Sequence, residues 1–512
     1  MTIGQRSFCV ALVVAFLLTA SAPGSSQGKV RQPGVAGAFY PANPGELRTM
    51  VDGFLAKAQV SSTRDPLIAL IAPHAGYPYS GGVAAFSYAA LKGRKFQRVV
   101  IIAPSHYEAF PFSSVYDGDA YVTPLGSVPV DKVFAAKLAA QGNSIHLSAR
   151  GHERSGQQSE HSLEDQLPFL QRTLGQFQLV PVIMGDQSYE ASRALGVALA
   201  KLIGNFDTLI VASSDLSHYH PYDEASTIDH NTLHAIEGWD YYDLSRNLQS
   251  RIWEACGGGP IVAAMMAAER LGANRAELLK YANSGDVTGD RSRVVGYSAF
   301  AVYKSTAKTY AAPPFSLTPK EKQELLSVAR KSAETAVREH KQFIPAAASP
   351  ALQQDRGAFV TINKNGDLRG CLGYIAPLEP LIQTVRDVAA FAASRDPRFP
   401  PITAAELGEL QYEVSVLSPL RRVLDVKEIQ VGQHGLLLKK GKHEGVLLPQ
   451  VPVEFGWDRK TFLEQAAKKA GLPSNGWKDD DTDIFLFTAL VFGEGKPLQT
   501  STPDASPPLR RP

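Results

Sequence analysis

The chain has 512 residues, which at ~150 residues per domain suggests about three domains. With 44% hydrophobic and 20% charged residues, it is neither a disordered chain, a collagen nor a polytopic membrane protein. Lys+Arg 52 against Asp+Glu 50 leaves a net charge of +2, so no global field attracts nucleic acid and no nucleic-acid partner is expected.

Residues 1–22, MTIGQRSFCVALVVAFLLTASA, read as a signal peptide. Arg6 gives the positive start, Phe8 to Ala20 the apolar core, and Ala20-Ser21-Ala22 a small-x-small cleavage site. The 13-residue core falls short of the ~20 apolar residues a spanning helix needs. The mature chain is therefore expected to be exported, periplasmic or extracellular, or cytoplasmic if this segment is not a signal, with no stable membrane insertion after cleavage. A polar, flexible leader is expected over 23–33, an α/β domain over 34–304, a Pro-containing linker over 305–316, a second domain over 317–497, and a disordered Pro/Ser-rich tail over 498–512.

In the first domain four apolar runs stop at polar side chains. PLIALIAPHAGY (66–77) ends at Pro73-His74, RVVIIAPSHY (98–107) at Ser105-His106, FQLVPVIMGDQ (177–187) at Gly185-Asp186, and DTLIVASSDLSHY (207–219) runs into Asp215 and His218. Continuous β-rich runs separated by helical stretches such as GGVAAFSYAALK predict parallel strands covered on both faces. In open α/β sheets the ligand crevice lies beyond the carboxyl ends of the strands, so side chains distant in sequence converge there. Nine of the 12 histidines lie between His74 and His234, and neutral imidazoles with a carboxylate suit a divalent metal. Cys256 stands just before Gly257-Gly258-Gly259-Pro260 and the helical run VAAMMAAERLG. A helix N-terminus there is expected to stabilise the thiolate for metal ligation or nucleophilic chemistry. Glu160-His161-Ser162 opens a predicted helix, HSLEDQLPFL, with Ser162 and Asp165 in capping-box spacing and His161 as an acid/base or supporting group. The alternative for any single histidine is a structural role, and for Cys256 that of a small buried hydrophobe.

In the second domain a periodic helix is predicted from Ser316 through about Val337, with Pro319 in its first turn. Strands are predicted at AFVTINKNG, where Gly366 closes a turn, and at LQYEVSVLS. Gly370 and Gly373 flank Cys371, so backbone can approach closely there. Arg369 is a candidate to lower the thiol pKa or bind an anion, and Glu413 and His434 are candidates to complete a Cys/His/carboxylate set. A tightly packed turn is the structural alternative. Cys9 falls in the signal, and so few cysteines exclude a disulfide scaffold and an all-cysteine zinc site.

The segments IAPHAGYPYSGGVAAFSY, APSHY, EHSLEDQLPFLQ and SSDLSHY resemble the signature segments of the Memo family, in that family's order, over residues 30–304. The Memo fold is similar to class III (LigB-type) extradiol dioxygenases, non-haem iron enzymes with a central sheet between helices. The resemblance implies metal ligands at His74, His106 and Cys256, with Asp215 and His218 as cleft neighbours. A cysteine replaces the carboxylate of the extradiol site, and a softer thiolate also suits copper or zinc. Fe2+ is the first expectation, with Cu or Zn as alternatives, and oxygen-dependent redox chemistry is expected in place of catechol ring cleavage.

LRGCLG (368–373), SRDPRFPPIT, YEVSVLSP, GQHGLLL and LLPQVPVEFGWD together resemble the AMMECR family over 317–497. The fold class expected for the whole chain is α/β, an α/β/α LigB-like domain followed by an α+β AMMECR-like domain. Fusion of the two resembles the AmmeMemoRadiSam group, whose third component is a radical SAM protein. The few cysteines here make any such partner a separate chain, and its cytosolic, oxygen-sensitive chemistry conflicts with export. Three functions follow: a dioxygenase-like metal-dependent oxidoreductase acting on a small-molecule or peptide substrate, a non-catalytic metal- or peptide-binding adaptor, and a hydrolase or transferase using Cys371.

Overall fold

The computed structural model describes residues 29–155, 158–204, 207–306, 315–346, 349–375 and 379–494. The signal peptide, most of the leader, linker residues 307–314 and the tail lie outside the described residues. Among the described residues, no helix is long and apolar enough to cross a membrane.

The first part alternates strands and helices in chain order: β1 (Leu67–Ala72), α1 (Tyr77–Ala89), β2 (Arg98–Pro104), β3 (Ser113–Val115), β4 (Ile145–Leu147), α2 (Leu167–Thr173), β5 (Gln178–Met184) and α3 (Tyr189–Ile203). Then come β6 (Thr208–Ser213), β7 (His218–His220), α4 (Tyr222–Glu237), α5 (Tyr241–Gln249), α6 (Gly258–Arg270), β8 (Arg275–Asn283) and β9 (Val294–Tyr303). The sheet order is β7-β9-β1-β6-β2-β5-β3-β4, with β8 pairing on β9. The four apolar runs form β1, β2, β5 and β6, which lie side by side and parallel. Their residues alternate between two buried layers. Val100, Ile102, Val180 and Ile210 pack towards α3 and α6, while Val99, Ile101, Leu179 and Leu209 pack towards α1, α2 and helix Pro44–Lys57. Period-two burial on both faces is why these strands read as unbroken apolar runs.

The predicted helix at 161–170 is shorter than its periodicity suggests. Residues Glu164–Gln166 form a 3-10 turn ahead of α2. The predicted capping box does not form, because the Ser162 hydroxyl donates to the Pro104 carbonyl.

The second part contains α7 (Pro319–Glu339), β10 (Ala358–Lys364), β11 (Asp367–Tyr374), α8 (Leu381–Ser394), β12 (Leu410–Leu417) and β13 (Arg421–Arg422). It ends with β14 (Gly435–Lys440), β15 (His443–Leu447), α9 (Arg459–Lys469), β16 (Asp483–Phe487) and β17 (Ala489–Gly493). Pro319 is the first residue of α7, and Thr318 and Glu321 form a reciprocal capping box. Asn365 and Gly366, with φ of 52° and 92°, make the tight turn of the β10–β11 hairpin, a conformation that favours Asn-Gly. Two antiparallel four-stranded sheets result, β11-β10-β12-β17 and β13-β16-β14-β15.

The two parts share a core. Leu437, Phe485 and Phe487 of the second sheet join the buried cluster formed by α3, α5 and α6, with the Phe485 ring 4.9 Å from that of Tyr242.

Candidate metal centre

Parallel register aligns the strand ends: Ala72 at the end of β1 faces Ser213 of β6, and Pro104 of β2 faces Met184 of β5. The loops that follow deliver His74, His106 and Asp215 to one crevice. Cys256 arrives from the other direction, just before α6. A Cβ on Gly257 would stand 2.1 Å from the Ser213 carbonyl oxygen, so glycine is what lets the start of α6 lie against β6. The donor atoms of His74, His106 and Cys256 all lie within 4.8 Å of one another. One ion at ordinary metal–nitrogen and metal–sulfur lengths of roughly 2.0–2.3 Å would span that separation.

Hydrogen bonds fix which nitrogen each histidine presents. The Ser213 hydroxyl has one proton, which it donates to the Ser162 carbonyl at 2.6 Å, and it accepts from Gln166 Nε2 at 2.8 Å. The 2.8 Å contact between His74 Nδ1 and Ser213 Oγ therefore has the imidazole as donor. His74 Nε2 keeps its lone pair, 3.1 Å from Cys256 Sγ. His106 Nδ1 donates to Glu160 Oε1 at 2.9 Å, which leaves its Nε2 as the coordinating nitrogen. Both rings thus carry the Nδ1 proton on a fixed acceptor, the arrangement that orients imidazoles for a metal.

Glu160 is the group that sequence reasoning missed. It was legible only as the neighbour of His161, yet its carboxylate also accepts the backbone N–H of His106 at 2.6 Å and those of His161 and Ser162 at 3.0 Å. Burial opposes its charge, but these bonds, His106 foremost, hold its pKa down at about 2. In return Glu160 raises His106 against the lowering effect of burial. His74, fully buried and close to His106, is pushed well below the ordinary imidazole value and is neutral.

The thiol departs from expectation. Burial, then the nearby Asp215 charge, pushes Cys256 well above its ordinary value, so the start of α6 does not acidify it. In this pocket a metal must displace the thiol proton. Asp215 organises the loops more than it faces the ligands: its Oδ1 accepts the His74 N–H at 2.8 Å, and its own N–H donates to Cys256 Sγ at 3.3 Å. Burial raises its pKa. His161 stacks on His106 with centroids 4.8 Å apart and meets the Phe39 ring at a tilt, centroids 4.5 Å apart. Its buried Nδ1 has no hydrogen-bond partner among the described residues, and burial followed by His74 lowers its pKa to about 3. His218 donates Nδ1–H to the Leu216 carbonyl at 2.8 Å. Asp186 caps its own loop by accepting from Ser188 N. Its neighbour Gln187, not singled out in the sequence, donates to the Cys256 carbonyl and accepts from Gly259 N, each at 2.9 Å.

A family model described as "Memo-like protein" matches residues 31–301, more than half of the chain. The chain belongs to the Memo family. A second model, AMMECR1, matches residues 326–492. Relatives of the Memo part include a MEMO1 family protein of Methanopyrus kandleri, 38% identical over 280 residues, covering 52% of this chain and 97% of that protein. Another, from Methanocaldococcus jannaschii, is 38% identical over 290 residues and covers 54% of this chain and 99% of that protein. The crystal structure of an uncharacterised Pyrococcus horikoshii protein is also similar, with 38% identity, a TM-score of 0.34, and coverage of 35% of this chain and 95% of that one.

In the AMMECR1 domain, Cys371 lies on β11 and its backbone N–H donates to Asp396 Oδ2 at 2.8 Å. Arg398 bridges the Asp396 carboxylate and the Cys371 carbonyl, at 2.7 and 2.9 Å. Both residues belong to the DPRFPP segment, whose separate roles the sequence did not disclose. Arg369 turns away to Glu406 and the Pro400 carbonyl, each at 2.9 Å. Burial raises the Cys371 thiol. Thr361, which donates to its sulfur at 3.4 Å, pairs in register with Cys371 on one side and Glu413 on the other. Glu413 is thus two strand spacings, roughly 10 Å, from Cys371. His434 is placed elsewhere, just before β14 of the other sheet, where its Nδ1 accepts from Gln430 N. The thiol, carboxylate and imidazole are not assembled into one set.

Proposed function

We propose that the Memo domain binds one redox metal ion through His74, His106 and Cys256 and acts as an oxygen-dependent, dioxygenase-like oxidoreductase on a small or peptide-linked substrate. The observation that supports this reading is the convergence of one donor atom from each of His74, His106 and Cys256 within 4.8 Å, both imidazoles having their Nδ1 protons held by Ser213 and Glu160. Two nitrogens and a sulfur suit Fe2+ or Cu, and also Zn, which would bind without redox chemistry. When bound, a redox-active ion would supply electron transfer and Lewis acidity. The protein's own groups bind and move protons. Glu160 keeps His106 oriented, and Ser213 does the same for His74. His161, neutral at physiological pH, walls the crevice beside His106. His218, whose Nδ1 is held by the Leu216 carbonyl, is the candidate to accept a proton from a substrate hydroxyl at Nε2.

Metal analysis of anaerobically purified protein, followed by oxygen uptake with Fe2+ or Cu+ across a phenol panel, tests this reading. Stoichiometric metal, lost in His74→Ala and His106→Ala, with oxygen consumption is the expected result. A metal-free wild type overturns it, and metal without oxygen consumption leaves a metal-binding adaptor.

A further inference from the structure

One carboxylate of the AMMECR1 domain grips both helices that flank Cys256. Asp483, at the start of β16, is 1% exposed. Its Oδ2 accepts from Tyr189 Oη at 2.9 Å and Arg193 Nε at 2.6 Å. Its Oδ1 accepts from Arg193 Nη2 and Arg422 Nε, both at 3.2 Å, and from Arg270 Nη2 at 3.4 Å. Tyr189 and Arg193 occupy the first turns of α3, and Arg270 is the last residue of α6. These two helices reach the metal centre directly. Gln187, two residues before Tyr189, holds the Cys256 carbonyl and Gly259 N–H, and α6 begins two residues after Cys256. The helices have no slack between them, since a Cβ on Gly196 of α3 would stand 2.7 Å from the Ala263 carbonyl oxygen of α6.

We propose that Asp483 is a positioning residue for Cys256, so that docking of the AMMECR1 domain sets where the thiol stands in the Memo metal centre. The proposal rests on the metal-binding reading above. Without the Asp483 charge, Arg193, Arg270 and Arg422 face one another with Glu269 as the remaining carboxylate, 3.5 Å from Arg422. Like charges in a buried interface repel. The separation they force is transmitted through α3 to Gln187 and through α6 to the turn that carries Cys256.

The test uses the full chain with Co2+ as probe, because thiolate ligation gives a sulfur-to-cobalt charge-transfer band that histidine ligation does not. Asp483→Asn is expected to weaken Co2+ binding about tenfold, as loss of a group supporting a metal ligand typically does, and to diminish that band selectively. Tyr189→Phe, which removes a single donor to Asp483, gives a smaller loss of the same kind and decides the matter if Asp483→Asn fails to fold by near-UV circular dichroism. Tyr242→Phe removes a different contact between the domains, the bond to Glu444 at 2.7 Å, and leaves both affinity and band unchanged. Wild-type affinity and band in Asp483→Asn or, if that variant does not fold, in Tyr189→Phe overturn the proposal, as does an equal loss in Tyr242→Phe. A wild type that binds Co2+ with no thiolate band instead removes the metal reading itself.

Discussion

Replacing Glu160 by glutamine tests the metal centre at its most connected side chain. The carboxylate is 4% exposed and accepts four N–H groups, two from His106 and one each from His161 and Ser162. A glutamine oxygen at the Oε1 position keeps three of them, but its amide then faces the His106 backbone N–H and leaves a buried donor unpaired, at about 1–3 kcal/mol. The charge matters further. Lowering a carboxyl from 4.5 to about 2 corresponds to about 3 kcal/mol of native-state stability, and the rise of His106 is the same interaction, counted once. The sign follows from the depressed folded value: the stabilisation is complete above pH 4.5 and is lost as pH falls towards 2. Urea denaturation should therefore show Glu160→Gln less stable than wild type by about 4–6 kcal/mol at pH 7, the two effects together, with the gap narrowing below pH 4.5 towards the unpaired-donor cost alone. Metal affinity, read by competition with a chromophoric chelator, should fall about 10–100-fold because His106 loses its fixed orientation. A variant that binds metal like wild type, or a stability gap that persists unchanged down to pH 2, refutes the role assigned to Glu160.

Ser213→Ala leaves the His74 Nδ1–H without its acceptor and should lower stability by about 1–3 kcal/mol in the same urea assay, with weaker metal binding. Gly257→Ala puts a methyl group 2.1 Å from the Ser213 carbonyl oxygen; a loss of about 3 kcal/mol is expected, and wild-type stability would show that α6 can retreat. Because the folded Cys256 thiol is raised, it is protonated at neutral pH and metal binding should release one proton, so affinity rises about tenfold per pH unit. Calorimetry in buffers of different ionisation enthalpy measures that proton, and the raised His106 adds a second at lower pH.

The parallel core was legible because β1, β2, β5 and β6 are buried on both faces, which writes an unbroken apolar run into each. The prolines and histidines after β1 and β2 then marked the crevice. Glu160 and Gln187 were not legible, since each acts across a gap of more than 50 residues and neither sits in a pattern with a period. The expected helix-dipole effect on Cys256 failed for a related reason: burial is set by what packs around the sulfur, and the sequence around Cys256 does not state it. His434 follows a turn between two apolar segments, and only strand pairing decides which sheet receives it. The contact of Asp483 with α3 and α6 likewise joins residues more than 200 positions apart in the chain.

The central position of β6 between β1 and β2 also sets a timetable. His74 and Cys256 are 182 residues apart, so at ordinary translation rates roughly 10–40 seconds separate the synthesis of the first ligand from that of the last. A complete set of candidate ligands therefore exists only after residue 256 has been made, and Asp483 follows 227 residues later.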